Sequence, residues 1–275
     1  MIISHRHRFI YIKNRKVGST STKLALQRLC GPEDVATPDR IHPPGPGSGL
    51  VDPLAEGARN WQGGFSPVRE MLAARHPLDL GRVVRDWARR PRFYNHMRAS
   101  SVRARVPRKV WDGYYKFCFE RNPWDKVVSF YFWEGRHEPG PRPVSGIDAF
   151  VENHRARGSE DRALPGDWIR YAEGDRIIVD DVFDHADLAG NLREALRRAG
   201  VPQAEIEGLE LGREKTTLRR ARTAVFSAEA DAVIRRVFRR EIAAFPFCRA
   251  PLPGMSVRAA REKGGEHAGR GLKGA

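Results

Sequence analysis

The amino-acid sequence predicts an α/β fold in which strands run into loops that lead directly into helices. Three observations predict it. Phe9-Ile10-Tyr11-Ile12 is a short apolar strand, followed by a basic, glycine-containing turn and a helix carrying Leu24, Leu26 and Leu29. Tyr114-Tyr115-Lys116-Phe117-Cys118-Phe119 is a β-prone aromatic run, followed by a turn and a helix from Lys126 to Trp133. Asp175 to Asp180 reads as a buried strand and Leu188 to Arg198 as a helix stopped by Gly200 and Pro202. Alternation of this kind builds a central, mainly parallel sheet flanked by helices.

The first of these units is an anion cradle. Its loop, Lys16-Val17-Gly18-Ser19-Thr20-Ser21-Thr22, combines a lysine charge, a glycine that lets backbone approach closely, and consecutive hydroxyls at a helix N-terminus. Unpaired N–H groups and the positive end of the helix dipole converge there. A nucleoside-triphosphate P-loop would place its lysine directly after the second glycine and before Ser/Thr. Here Lys16 precedes Gly18, and no Gly-Lys-Ser/Thr occurs in the chain.

Chain length and composition set the bounds. With 275 residues, the sequence suits one sizeable core: a single domain over 1–253, an irregular insertion at 31–92 serving as an acceptor-binding or lid region, and a disordered basic tail at 254–275. The insertion is Pro- and Gly-rich from Gly31 to Pro67, with weak helical patterning at Pro67 to Ala74 and Leu80 to Arg90, where Val83, Val84 and Trp87 share a face. A net charge of +15 predicts affinity for polyanions, against a background of arginine-rich solvated helix faces. Cys30, Cys118 and Cys248 are too few and too scattered for a disulfide framework or a thiolate metal site. The start, MIISHRHRF, lacks a signal peptide's apolar core, and no run reaches ~18 apolar residues. The expectation is a cytoplasmic protein without a transmembrane segment, with peripheral membrane contact compatible with its charge.

In the second unit, Asn122 is a good N-cap, Pro123 suits the first helical position and Asp125 complements the helix dipole. Those roles need no ligand. Arg121, a cation at a strand end where α/β proteins bind ligands, and Ser129, one turn into the helix, are left without a local explanation. Phe93-Tyr94-Asn95-His96-Met97 reads as a brief extended segment before a helix from Ser100 to Val106. The last strong helix starts at Ser227 as N-cap and presents Val233, Ile234, Val237, Phe238 and Ile242 as core.

KVGSTS followed about a hundred residues later by FCFERNPWDKVVSFY resembles the sulfotransferases that use 3′-phosphoadenosine 5′-phosphosulfate, in particular the carbohydrate-type family. More loosely, Asn95-His96-Met97 with Ser100 to Arg105, Ile178-Val179-Asp180, and Lys215-Thr216 with the closing helix resemble further blocks of that family. The resemblance implies a P-loop-like three-layer fold in which Lys16, Val17, Gly18, Ser19, Thr20, Ser21 and Thr22 hold the 5′-phosphosulfate. Arg121 and Ser129 would hold the 3′-phosphate, with Lys215 reaching the same side and Lys16 also catalytic. It implies His96 as general base and a carbohydrate or glycolipid hydroxyl as acceptor, without a metal. Histidine is the usual base near neutral pH, and the other eight show no ligand spacing. This chain departs from the pattern at Arg15 (the family's proline), at Glu120 (a small apolar residue) and at Ala186-Asp187-Leu188 (Glu-Asn-Leu).

Two other functions fit parts of the sequence. A P-loop kinase or NTPase lacks its Gly-Lys-Ser/Thr and an acidic metal ligand after a strand. A nucleic-acid module would interleave aromatics with basic residues on one face, whereas the aromatics here lie in apolar runs, so no specific nucleic-acid partner is expected.

Overall fold

Residues 1–38, 57–74, 77–135, 138, 140, 142–156, 164–211 and 223–258 are described by the computed structural model. The chain opens with a hairpin, β1 (Ile2–Ser4) and β2 (Phe9–Tyr11), and β2 runs into α1 (Ser19–Arg28). Then come β3 (Val35–Ala36), α2 (Val68–Ala73), α3 (Pro77–Arg89), α4 (Ala99–Arg105) and α5 (Arg108–Gly113). The second strand-loop-helix unit is β4 (Tyr115–Glu120) and α6 (Pro123–Glu134). After α7 (Ile147–Ala156) and α8 (Trp168–Tyr171), a small hairpin of β5 (Ala172–Glu173) and β6 (Arg176–Ile177) leads to β7 (Asp181–Asp184). The chain continues through α9 (Leu188–Arg198), α10 (Gln203–Glu207), β8 (Val225–Phe226), α11 (Ala228–Val237), α12 (Arg239–Ala244) and β9 (Ser256–Val257).

The central sheet has the order β3-β1-β2-β4-β7. Strands β2, β4 and β7 pair in parallel, and β1 is antiparallel to both of its neighbours, so β1 alone runs against the other four. The mainly parallel sheet expected from the sequence is therefore present. Its period-2 alternation sorts the two faces. Phe9, Tyr11, Phe117, Phe119 and Phe183 pack with Leu26 of α1 and Leu192 and Leu196 of α9. Ile10, Ile12 and Cys118 face the other way, toward Met97, Val102, Trp111 and Tyr171. Helices thus cover both faces, and Cys118 is the buried small hydrophobe its sequence context suggests. A third apolar cluster joins α6, α7 and α11.

Four local expectations need correction. The third parallel strand is Asp181–Asp184 rather than Asp175–Asp180: Arg176–Ile177 pairs instead with Ala172–Glu173, and Asp180 meets β4 through its N–H on the Lys116 carbonyl at 2.8 Å and its carboxylate on the Lys116 N–H at 2.7 Å. Asn95-His96 forms a turn rather than extended chain, with His96 at a φ of 57°. The terminal helix breaks at Phe238, and Val237 is exposed rather than core. On α3, Val83 is buried but Val84 and Trp87 face solvent.

Within the 31–92 stretch, β3 extends the sheet edge and α2 and α3 are regular helices. Strand β9 falls at the start of the expected tail and pairs with β8. Residues 259–275 lie outside the described residues, as does Lys215.

Candidate active site

The loop after β2 is anchored by a buried side chain. Val17 is fully buried in the apolar cluster, so its side chain anchors the loop. Lys16 and Gly18 both take left-handed backbone, with φ of 59° and 64°. A Cβ on Gly18 would stand 2.7 Å from Leu188 Cδ2, so close packing as well as φ selects glycine. Gly18 is the N-cap of α1, and no side chain caps that end and no acid sits in its first turn. The first N–H groups of α1 therefore face the loop with the positive end of the dipole. Thr22 is fully buried and its hydroxyl donates to the Gly18 carbonyl at 3.1 Å; Ser19 is also buried, and Thr20 and Ser21 are half-buried.

The second motif meets the first directly. The Arg121 guanidinium donates from Nη1 to the Lys16 carbonyl at 3.0 Å and from Nε to Asp125 at 2.6 Å. Asn122 caps α6 by accepting from the Asp125 N–H, and its amide donates to the carbonyls of Phe247 and Ala250, which ties the C-terminal segment to this end. Along α6, Asp125, Ser129 and Trp133 recur every four residues on one face. Ser129 is half-buried, and the Lys16 ammonium lies 5.3 Å from the centre of the Trp133 ring. Lys16 thus reaches both ends of this face, its carbonyl by way of Arg121 to Asp125 and its ammonium over Trp133.

His96 reaches the same loop from the α4 side. Its Nδ1 lies 3.0 Å from the Lys13 carbonyl, an atom that can only accept, so Nδ1 carries the proton and Nε2 keeps its lone pair. Burial, and then the charges of Lys13 and Arg170, hold its pKa well below the ordinary histidine value. Arg170 donates to the His96 carbonyl and, at 2.7 Å, to Asp167. Asp167 in turn accepts from the Arg15 backbone at 2.7 Å and its Nε at 3.0 Å. Asp167 therefore links the His96 turn to the cradle loop.

Asp167 also anchors a buried charge cluster that absorbs two of the chain's departures from the family pattern. Lys126 Nζ is 2.7 Å from Asp167 and 2.6 Å from Glu120, all three with no exposed side-chain surface. Burial raises the Asp167 carboxyl, but Lys126, Arg15 and Arg170 outweigh it and hold it well below the ordinary range. Glu120 is pushed by burial up to about 7, against the pull of Lys126. Arg15 is thus committed to Asp167, while the Glu120 carboxylate also receives the Arg121 N–H at 2.8 Å and the Tyr171 hydroxyl at 3.2 Å.

Nothing in the sequence pointed to His185. It follows β7, and its Nε2 lies 3.6 Å from where a Gly18 Cβ would stand. Burial and then the Arg121 charge depress its pKa to about 3, so it is a neutral ring at the cradle wall. A separate cavity of about 900 Å³ lies between α2 and α3 on one side and α4, α5 and α8 on the other. It shares no lining residue with the cradle; in its wall Arg98 stands two residues after His96 and Ile169 one before Arg170.

Among the described residues no cluster of histidine, cysteine and carboxylates has the geometry of a metal site, and no helix is long and apolar enough to cross a membrane. An uncharacterized protein of Archaeoglobus fulgidus is 31% identical over 107 residues, 39% of this chain and 85% of that protein. No solved structure matches the chain. The model of the sulfotransferase family matches residues 1–176, a span that holds the cradle loop, His96, Arg121 and Ser129. With well over half of its length covered by that match, the chain belongs to the sulfotransferase family.

Proposed function

We propose that this protein moves a sulfuryl group from 3′-phosphoadenosine 5′-phosphosulfate to a hydroxyl of a carbohydrate or glycolipid. The observation that carries the reading is the meeting of the two motifs, with the Arg121 guanidinium on the Lys16 carbonyl and the uncapped start of α1 beside them. That donor set suits oxyanions: the cation of Lys16 and the backbone N–H groups from Gly18 to Thr22 would hold the 5′-phosphosulfate. Arg121 and Ser129, with Lys215, would hold the 3′-phosphate. ATP has no phosphate there, which gives a physical reason for the choice of donor.

The transfer is in-line. The acceptor oxygen attacks sulfur, the bond from sulfur to the 5′-phosphate oxygen breaks, and the acceptor proton passes to Nε2 of His96. Lys16 neutralises the charge that develops on the leaving oxygen. Catalysis then comes from positioning and charge, as in loose phosphoryl transfer.

Calorimetry tests the donor half first. Binding of 3′-phosphoadenosine 5′-phosphate without metal supports the reading; binding of Mg-ATP and not of the bisphosphate replaces it with a kinase or NTPase. Incubation with labelled donor and a panel of glycans, lipid-linked sugars and small alcohols then identifies the acceptor.

A further inference from the structure

Helices α2 and α3 are built inside out. Their inward faces carry charge: Glu70, 5% exposed, accepts from Arg105 Nε at 2.6 Å, and Asp86, 1% exposed, accepts from the Tyr94 hydroxyl. Arg82 joins them, 3.5 Å from Glu70 and 2.8 Å from the Ser101 hydroxyl. The residues of α3 that are buried are Val83 and Asp86. The outward faces are apolar, with Val68 and Leu72 on α2 and Leu78, Leu80, Val84 and Trp87 on α3, exposed by 42 to 83%. Six of the eleven exposed large apolar side chains among the described residues thus fall within twenty positions. Leu80, Val84 and Trp87 form one stripe along α3. Water contact at such a concentration of apolar surface is costly and marks a surface that meets something else.

The charges around the stripe indicate what. Arg69, Arg85 and Arg89 are exposed on the same two helices, and no ion pair engages them among the described residues. On α2, Arg69 lies about 60° round the axis from Leu72; on α3, Arg85 lies about 100° round from Val84, and its side chain is long enough to reach back toward it. A second copy seated here by a twofold axis would set these arginines against their own copies, in a chain of net charge +15. An anionic surface complements both features at once. We propose that the α2 and α3 face seats on an anionic phospholipid bilayer. Trp87, Val84, Leu80 and Leu72 enter the boundary between headgroups and acyl chains, and Arg69 and Arg85 pair with lipid phosphates. The proposal stands independently of the sulfuryl-transfer reading.

Vesicle flotation with the full chain tests it. The protein floats with phosphatidylcholine vesicles containing about 30 mol% phosphatidylglycerol and not with phosphatidylcholine alone. The double variant Val84→Glu/Trp87→Glu loses at least about tenfold in partitioning, with unchanged circular dichroism, since both side chains are exposed. Leu72→Glu on α2, at 83% exposure, gives the same direction of change should the double variant misfold. Arg69→Gln/Arg85→Gln weakens binding and flattens its salt dependence. Three results overturn the proposal. They are no flotation at any phosphatidylglycerol content, flotation unchanged in both glutamate variants, or a dimer in sedimentation equilibrium that these variants dissociate.

Discussion

Arg121 donates a hydrogen bond to the backbone carbonyl of Lys16 across 105 positions of sequence, while its Nε holds Asp125. The guanidinium therefore sets the shape of the cradle loop as well as offering charge to a ligand. Lys16, by contrast, sends its ammonium away from that contact, toward Trp133. The two cations have separable roles. Lys16→Ala should leave the fold intact and raise the Kd for 3′-phosphoadenosine 5′-phosphate and lower kcat by about 10²-fold or more. Arg121→Ala should weaken the same ligand strongly and also lower the melting temperature, because Asp125 and the loop carbonyl lose their partner. His96→Ala should bind the bisphosphate nearly as tightly as the parent and lose turnover. Calorimetry and a labelled-donor assay on the three variants check this; loss of binding in His96→Ala would remove the base assignment.

The histidines fix the sign of the pH dependence. His96 in the folded chain is kept neutral to well below its ordinary pKa by burial and by Lys13 and Arg170. A base held deprotonated stays active as pH falls, so kcat/KM should be level through pH 6.5 and turn down only below it. An acid limb centred at or above 6.5 would contradict the assignment. Stability follows a related rule through His185, which falls from its ordinary 6.5 to about 3. Between those values the unfolded chain binds a proton that the folded chain does not. Its contribution to stability is complete above 6.5 and is lost as pH falls toward 3. Melting curves of His185→Gln should lack that share of the acid destabilisation.

Within the buried cluster, Glu120 and Asp167 carry opposite burdens. Asp167 satisfies Lys126, Arg15 and Arg170 and sits well below the ordinary carboxylate range, so its charge supports the fold. Asp167→Asn should cost about 3 kcal/mol or more, since three cations lose their partner in a dry site. Glu120 is raised to about 7, so folding favours its protonated form. The favourable share is present at low pH and is lost as pH rises from about 4.5 through 7. Glu120→Gln should therefore change stability by less than about 1 kcal/mol near pH 6 and become relatively more stable than the parent as pH rises to 8. Calorimetric melting of both variants against pH measures it.

Much of this architecture was legible because local rules and tertiary packing agree. The strand, loop and helix around Gly18 and the N-cap at Asn122 rest on nearest-neighbour chemistry, and they stand within a residue or two of where the sequence puts them. The alternation of Phe9 and Tyr11 against Ile10 and Ile12 carried no such clue to which helices cover each face. Features set by partners far along the chain were not legible. Asp167 lies about 150 residues from Arg15, so the sequence shows Arg15 only as an extra charge near the loop. His185 meets Gly18 only once β7 has paired with β4. Val83, Val84 and Trp87 read as one face by periodicity, and nothing local reveals that Glu70, Asp86 and Arg105 pair beneath the helix while Val84 and Trp87 stay outside.

Gly18 offers a test that separates backbone strain from steric contact. Its φ of 64° costs a non-glycine residue about 1 kcal/mol, and a Cβ there would also stand 2.7 Å from Leu188 Cδ2. The Leu188 side chain is half-buried at the start of α9, so it can yield, but only by disturbing the contact between α9 and the cradle. Gly18→Ala should therefore lower stability by about 2 kcal/mol and weaken bisphosphate binding, because the loop N–H groups turn away from their common focus. Adding Leu188→Ala should restore the steric share and leave the conformational share. The double variant would melt between parent and Gly18→Ala after correction for Leu188→Ala alone. If the two substitutions prove additive instead, the loop relaxes without touching α9, and His185 and Leu188 are not the wall that holds the cradle in shape.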